Sequence, residues 1–200
     1  MNNNKDWTGN KSTVFATLGA SSHSIGERQV DDYYATEPSA IDDLFSVEEF
    51  NQVIYEPACG EGHLSIRMKE LGKTVHSSDL INRGYMEGEE EPSDFLKTTE
   101  LISCDIITNP PYSLAEEFCR KAIDLTNNKV AMFLKLTFLE GQKRKKFFEE
   151  FPPKVVYVYS KRKNCAKNGD FHLYKSSAVA YAWYVWEKGY KGETTIKWIN

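Results

Sequence analysis

The chain is poor in cysteine and has none in an arrangement that binds metal or invites a crosslink. Its four cysteines, at 59, 104, 119 and 165, form no C-x-x-C pair. Neither they nor His23, His63, His76 and His172 show metal-ligand spacing, so no metal site and reduced thiols are expected. Long hydrophobic runs are also missing: the longest, 178–186, has nine residues, against roughly 20 for a membrane-spanning helix. The first six residues, Met1 to Asp6, are polar and lack the apolar core of a signal peptide, which makes a cytoplasmic location the expectation. A third glycine is lacking as well. After Gly60 and Gly62, position 65 is Ser, so the full dinucleotide fingerprint is absent and a nicotinamide enzyme is set aside.

What is present suits one globular domain. The 200 residues are 40% apolar and 13% aromatic, enough for a full core. Residues 1–32 carry no sustained period and read as an arm or loop, leaving 33–200 as the single domain. The net charge of -4 hides a division. Residues 1–112 hold 8 Lys and Arg against 20 Asp and Glu, a net -12, while 113–200 hold 17 against 9, a net +8. A basic half can hold a polyanion even when the whole chain is acidic.

Hydrophobic period then divides the domain. Ile41, Leu44 and Phe45 predict a helix from 39, with Thr36 as N-cap and Pro38 in its first turn. A short strand over 52–55 enters the turn Glu56-Pro57-Ala58-Cys59-Gly60-Glu61-Gly62, and a helix follows over 64–71. The glycines let backbone pass close to a ligand and expose amides at the helix start. Residues 74–80 read as a second strand ending in Asp79, a carboxylate placed for ribose hydroxyls in a doubly wound fold. The segment 82–92 reads as an acidic loop, and Asp94-Phe95 sets a carboxylate beside an aromatic. Further on, a helix is expected over 114–125, a strand over 130–139 and a basic amphipathic helix over 142–151. Two long β runs, 155–159 and 177–186, have no helix between them and should pair antiparallel. The tail 189–200 offers one further edge segment.

The densest chemistry lies in Cys104-Asp105-Ile106-Ile107-Thr108-Asn109-Pro110-Pro111-Tyr112. Ile106, Ile107 and Thr108 suit an inner strand covered on both faces. Two prolines then remove two backbone donors and fix two φ angles, holding the Asn109 and Pro110 carbonyls as rigid acceptors beside an aromatic ring. An amine on a heteroaromatic ring or an amide is a weak nucleophile because its lone pair is delocalised. Acceptors that take its hydrogens drive the nitrogen toward tetrahedral geometry and localise that pair.

In this order the segments resemble the class I S-adenosylmethionine-dependent amino-methyltransferases of the adenine-N6 or cytosine-N4 DNA type, and most of all the short phage-type adenine methyltransferases. The likeness runs from about Tyr33 to Trp186, with Asn-Pro-Pro-Tyr its most specific part. It implies an α/β, Rossmann-like, doubly wound and mostly parallel seven-stranded sheet with an antiparallel C-terminal hairpin. It also implies that Glu56, Ala58, Gly60 and Gly62 surround the methionine part of S-adenosylmethionine, that Asp79 binds its ribose, and that Asp94 and Phe95 hold its adenine. Tyr34 and Thr36 would close on the cofactor, and Asn109 would touch it. Asn109 and Pro110 would accept from the target amine, Pro111 would stiffen them, and Tyr112 would stack on the base. Phe171 is a candidate for the opposite stack, and Lys161, Arg162 and Lys163 for phosphate contacts.

The expected reaction is methyl transfer to an exocyclic amine, adenine N6 in DNA, on a base flipped out of a duplex. The same motif serves RNA base amines and protein glutamine, which stay open as acceptors, and so does a protein that keeps the fold for binding alone. The chain departs from DNA-modifying relatives in lacking a separate target-recognition region; only 160–176 and the first thirty residues are available for that task.

Overall fold

Strand β4, Asp105–Thr108, is buried at every residue, as its β-branched apolar run predicts for a strand covered on both faces. The computed structural model that places it describes residues 34–85, 92–163, 165–166 and 179–200. The expected arm over 1–32, Phe171 and the acidic stretch 86–91 lie outside the described residues.

In chain order come β1 (Ala35–Thr36), α1 (Ser39–Val47), β2 (Val53–Glu56), α2 (His63–Glu70), β3 (Thr74–Ser77) and β4. After β4 follow α3 (Ala115–Leu125), β5 (Lys129–Lys135), α4 (Gln142–Glu150), β6 (Val155–Tyr159), β7 (Cys165–Ala166), β8 (Tyr181–Glu187) and β9 (Thr195–Ile199). Seven of these strands form one sheet in the order β3-β2-β4-β5-β8-β6-β9. The pairs β2–β3, β2–β4, β4–β5 and β6–β9 are parallel, and β8 runs antiparallel between β5 and β6. This is the doubly wound sheet with an antiparallel C-terminal pair that the sequence predicts. Its seventh strand is the tail β9, on the edge beside β6.

Side-chain alternation builds two cores from one sheet. On one face Ile107, Ala131, Phe133, Val155, Tyr157, Trp183 and Val185 meet α1 and α2 through Ala40, Ile41, Leu44, Leu64 and Met68. On the other, Ile106, Val130, Met132, Leu134, Val156, Ala182, Tyr184 and Trp186 meet α3 and α4 through Phe118, Cys119, Ala122 and Phe147. With helices on both faces, every parallel strand ends on the same side, which is where a crevice forms in such sheets.

Three expectations change. Strand β5 stops at Lys135, and Leu136–Leu139 turns into a 3-10 helix. Lys135 pairs with Tyr181, the first residue of β8, and one further bond, Leu136 N to the Ala180 carbonyl at 2.8 Å, closes the ladder. Tyr184 Oη then holds the turn by donating to the Lys135 and Leu136 carbonyls at 3.2 and 3.3 Å. Strand β8 itself begins at Tyr181, after the start expected at 177. Thr36 does not cap α1: it lies in β1, and Pro38 occupies the cap position without a side-chain bond.

Trp183 joins the antiparallel pair to the first helix. It is fully buried, and its Nε1–H donates to the Ala40 carbonyl and to Tyr159 Oη, each at 3.0 Å. Trp183→Ala empties that volume and leaves two acceptors short of a donor, so it should cost about 3–5 kcal/mol. Urea denaturation of the variant checks this; a loss within experimental error would mean that the helix does not depend on the contact.

Candidate functional site

The ends of β2, β3 and β4 converge. Beyond β2, the turn 57–62 is pinned to the end of β3, since Ser78 N donates to Glu56 O at 2.9 Å and Cys59 N to Ser78 O at 3.0 Å. Asp79 carries the same join by side chain. Its Oδ2 accepts from Gly60 N at 2.8 Å and its Oδ1 from Ile81 N at 3.0 Å. Gly60 and Gly62 sit at φ +56° and +81°, a region that side chains with Cβ rarely enter. At Gly62, the N-terminal boundary of α2, a Cβ would also overlap the Tyr85 ring.

A cleft of roughly 650 Å³, partly open to solvent, lies across these ends. Tyr34, Ala58, Asp79, Asp94, Phe95, Asn109, Pro110, Pro111 and Tyr112, all singled out from the sequence, line it together. Arg83, Leu80, Ile81 and Phe118 line it as well and carried no sequence signal of their own. Phe95 contributes little surface, being 2% exposed, because its ring packs at 5.2 Å on Phe118 and 6.1 Å on Tyr55. Asp94 caps the 3-10 turn Phe95–Lys97 by accepting from Leu96 N at 3.1 Å.

Glu56, expected at the cofactor, lies beneath the cleft and does not line it. It is 1% exposed and accepts from Ser65 Oγ, which in turn meets Ser77 Oγ at 2.6 Å. Burial, reinforced by the charge of Asp79 and opposed by the Ser65 bond, raises its pKa to about 8. Gly60, Gly62 and Thr36 also stand behind the lining. Among the basic candidates, Lys161 and Arg162 are exposed. Lys163 is engaged instead: it pairs with Asp43 Oδ2 at 2.6 Å and donates to Ser39 Oγ at 2.8 Å.

At the end of β4 the Asn109 side chain is held from one end. Its Nδ2 donates to the Tyr34 carbonyl at 2.9 Å and to Thr36 Oγ1 at 2.7 Å. A backbone carbonyl can only accept, so the Tyr34 contact fixes which end of the amide is nitrogen. Oδ1 is then buried with no hydrogen-bond partner. Nearby, the Tyr112 ring lies 6.0 Å from Tyr34 at 25° and 5.9 Å from Tyr181, with the Lys135 ammonium 4.4 Å over it. Tyr112 Oη meets Cys165 Sγ at 3.4 Å. Burial holds the Tyr112 phenol well above its ordinary range and pushes the Cys165 thiol up to about 11. Neither is an ionised nucleophile at neutral pH. The arrangement can accept hydrogen bonds from an amine and cover a flat ring, and it offers no thiolate for covalent chemistry.

Tyr112 also borders a second, wider groove of about 1190 Å³, walled by Glu116, Thr137, Phe138, Lys143 and Arg144. No group of three or more potential metal ligands occurs among the described residues, and no described helix is long and apolar enough to cross a membrane.

No protein-family model and no curated protein matches the sequence. Solved structures do resemble the fold. A candidate class I S-adenosylmethionine-dependent methyltransferase from Listeria monocytogenes superposes with TM-score 0.60 at 15% identity, over 94% of this chain and 71% of that one. The M protein of the type I restriction enzyme EcoKI gives TM-score 0.56 at 12% identity, over 81% of this chain and 45% of that one. The 23S rRNA methyltransferase ErmE gives 0.55 at 13% identity, over 80% and 73%. At these identities the likeness carries the methyltransferase-type Rossmann-like fold.

The buried Glu56 carboxyl makes a prediction of sign. Folded, it keeps its proton up to about pH 8; unfolded, it releases it near 4.5. Its contribution to stability is therefore complete below about 4.5 and is lost as pH rises through about 8. Glu56→Gln should remove that loss, so the variant gains on the wild type between pH 5.5 and 8.5 by on the order of a few kcal/mol. Urea midpoints at the two pH values measure it, and equal shifts for both proteins would mean that the carboxyl is ionised in the fold.

Proposed function

We propose that the chain is an S-adenosylmethionine-dependent methyltransferase that modifies an exocyclic amine, adenine N6 in DNA. One observation carries the reading: Asn109 Oδ1 is buried and unpartnered while its own amino group is locked by Tyr34 and Thr36. Leaving a buried acceptor unsatisfied costs free energy unless a ligand donates to it. Asn109 Oδ1 and the Pro110 carbonyl are the acceptors for the two amine hydrogens, and the Tyr112 ring is the surface for the base. Acceptors held in place before the amine arrives cost no reorganisation when charge develops on nitrogen.

The cleft fits the cofactor by its donor set. Asp79 retains lone pairs toward the cleft after accepting from Gly60 and Ile81, which suits ribose hydroxyls. Ala58 would meet the methionine part and the Asp94-Phe95 pair the adenine, a reading supported by their shared lining of the cleft. S-adenosylmethionine supplies, when bound, an activated methyl on a sulfonium. The chain supplies orientation and exclusion of water, with no covalent enzyme intermediate.

The test is transfer of labelled methyl from S-adenosylmethionine to unmethylated duplex DNA, followed by digestion to nucleosides. N6-methyladenine is the expected product. Label in RNA or protein instead would move the acceptor and keep the reaction. Cofactor binding by calorimetry without label in any polymer would leave a binding protein. Asn109→Ala should abolish transfer, a fall of about 100-fold or more, and leave the cofactor Kd within a few-fold. Asp79→Ala should instead weaken cofactor binding; an unchanged Kd would reject the ribose assignment.

A further inference from the structure

We infer that the ribbon formed by β1 and β7 is a clasp that orients the acceptor site, and that Thr36 is a positioning residue acting through Asn109 and not through the cofactor. The inference rests on the proposed amine chemistry. β1 and β7 pair antiparallel outside the main sheet, with Ala35 opposite Ala166 and Thr36 opposite Cys165. From this ribbon each functional side chain of the Asn-Pro-Pro-Tyr turn receives a bond. Asn109 Nδ2 reaches Thr36 Oγ1 at 2.7 Å and Tyr34 O at 2.9 Å, and Tyr112 Oη reaches Cys165 Sγ at 3.4 Å. Thr36 and Cys165 stand opposite one another across the ribbon.

One strand of the ribbon thus holds Asn109 through Thr36, and the other holds Tyr112 through Cys165. Direction matters at Thr36. Its Oγ1 accepts from Asn109 Nδ2 through a lone pair, and the amide then presents Oδ1 on the other side. Thr36 is 3% exposed, so water is not at hand to replace it. Without its oxygen only the Tyr34 carbonyl would hold the Asn109 amino group. The amide could then swing and lose the geometry that aims Oδ1.

Thr36→Val keeps shape and β-branching and deletes the oxygen; Thr36→Ser keeps the oxygen. The full chain is labelled with 15N-asparagine, and the Asn109 side-chain amide is identified by its loss in Asn109→Ala. Thr36→Val should exchange that amide's hydrogens about tenfold faster than wild type and lower kcat about five- to tenfold, the size of one neutral hydrogen bond. The S-adenosylmethionine Kd should stay within twofold, and Thr36→Ser should restore both readouts. Unchanged exchange overturns the clasp, and so does a weakened Kd at unchanged exchange, which would make Thr36 a cofactor contact. Faster exchange at unchanged kcat overturns its bearing on the reaction. The exchange readout needs no acceptor, so a wild type that transfers no methyl but shows the expected exchange would sink the proposed function and leave the clasp standing.

Discussion

Strand β4 can go no further than Thr108, because Pro110 and Pro111 have no amide hydrogens to give a ladder. The consequence reaches across the molecule. Parallel partners β2 and β5 hold β4 in register through Ile54–Asp105 and Thr108–Met132, and both faces of the strand are sealed by helices. The chain leaving Thr108 therefore emerges at one fixed height, with Asn109 as its first residue outside the ladder. The β2 turn and the end of β3 reach the same level because a parallel sheet sends all its carboxyl ends one way. Stopping one strand with prolines thus creates both a rigid acceptor pair and the wall of a cleft.

The site is then completed from far away in sequence. Thr36 and Cys165 are 129 positions apart by numbering, yet they are opposite one another in the β1–β7 ribbon. Each also touches the turn after β4. The sheet supplies the platform, and the ribbon supplies orientation. The same division appears in electrostatics. Glu56 is buried as a neutral hydrogen-bonded group under the platform, while Asp79, its neighbour, is spent partly on the Gly60 and Ile81 amides and still faces the cleft.

Much of this was legible in the sequence because it is local. The Ile106-Ile107 run announced a strand buried on both faces, and the long β run through Trp183 and Val185 announced one partner of an antiparallel pair. The prolines of Asn-Pro-Pro-Tyr announced where the Ile106-Ile107 strand stops. Other features depend on long-range pairing and left no local mark. Two residues, Ala35 and Thr36, are too short a strand to show a period, so Thr36 looked like a helix cap. The end of β5 at Lys135 depends on where β8 begins, which no property of 130–139 encodes. Glu56 carried its cofactor role by the family likeness alone, and its burial against Ser65 and Ser77 follows from the pairing of β2 with β3, which leaves no local mark. The Lys135 ammonium over Tyr112 needed two distant segments to be brought together before it could be seen.

The charge division changes meaning in the folded protein. Of the basic residues in the second half, Lys129 and Lys154 neutralise Glu48 and Glu187. Arg120 holds Glu116 and Glu150, and Lys163 holds Asp43. Arg144 donates to the Thr137 and Glu140 carbonyls. Lys129–Glu48 and Lys163–Asp43 pair the basic half with the acidic half, so the division of charge along the sequence is not a division of the folded surface. Among the described residues, exposed Lys143 and Lys146 on α4 make no ion pair. Lys143 stands on the groove that Tyr112 borders, and Glu117 and Glu140 share that wall. A surface of both signs gains little from a uniform phosphate backbone and more from hydrogen bonds to polar edges.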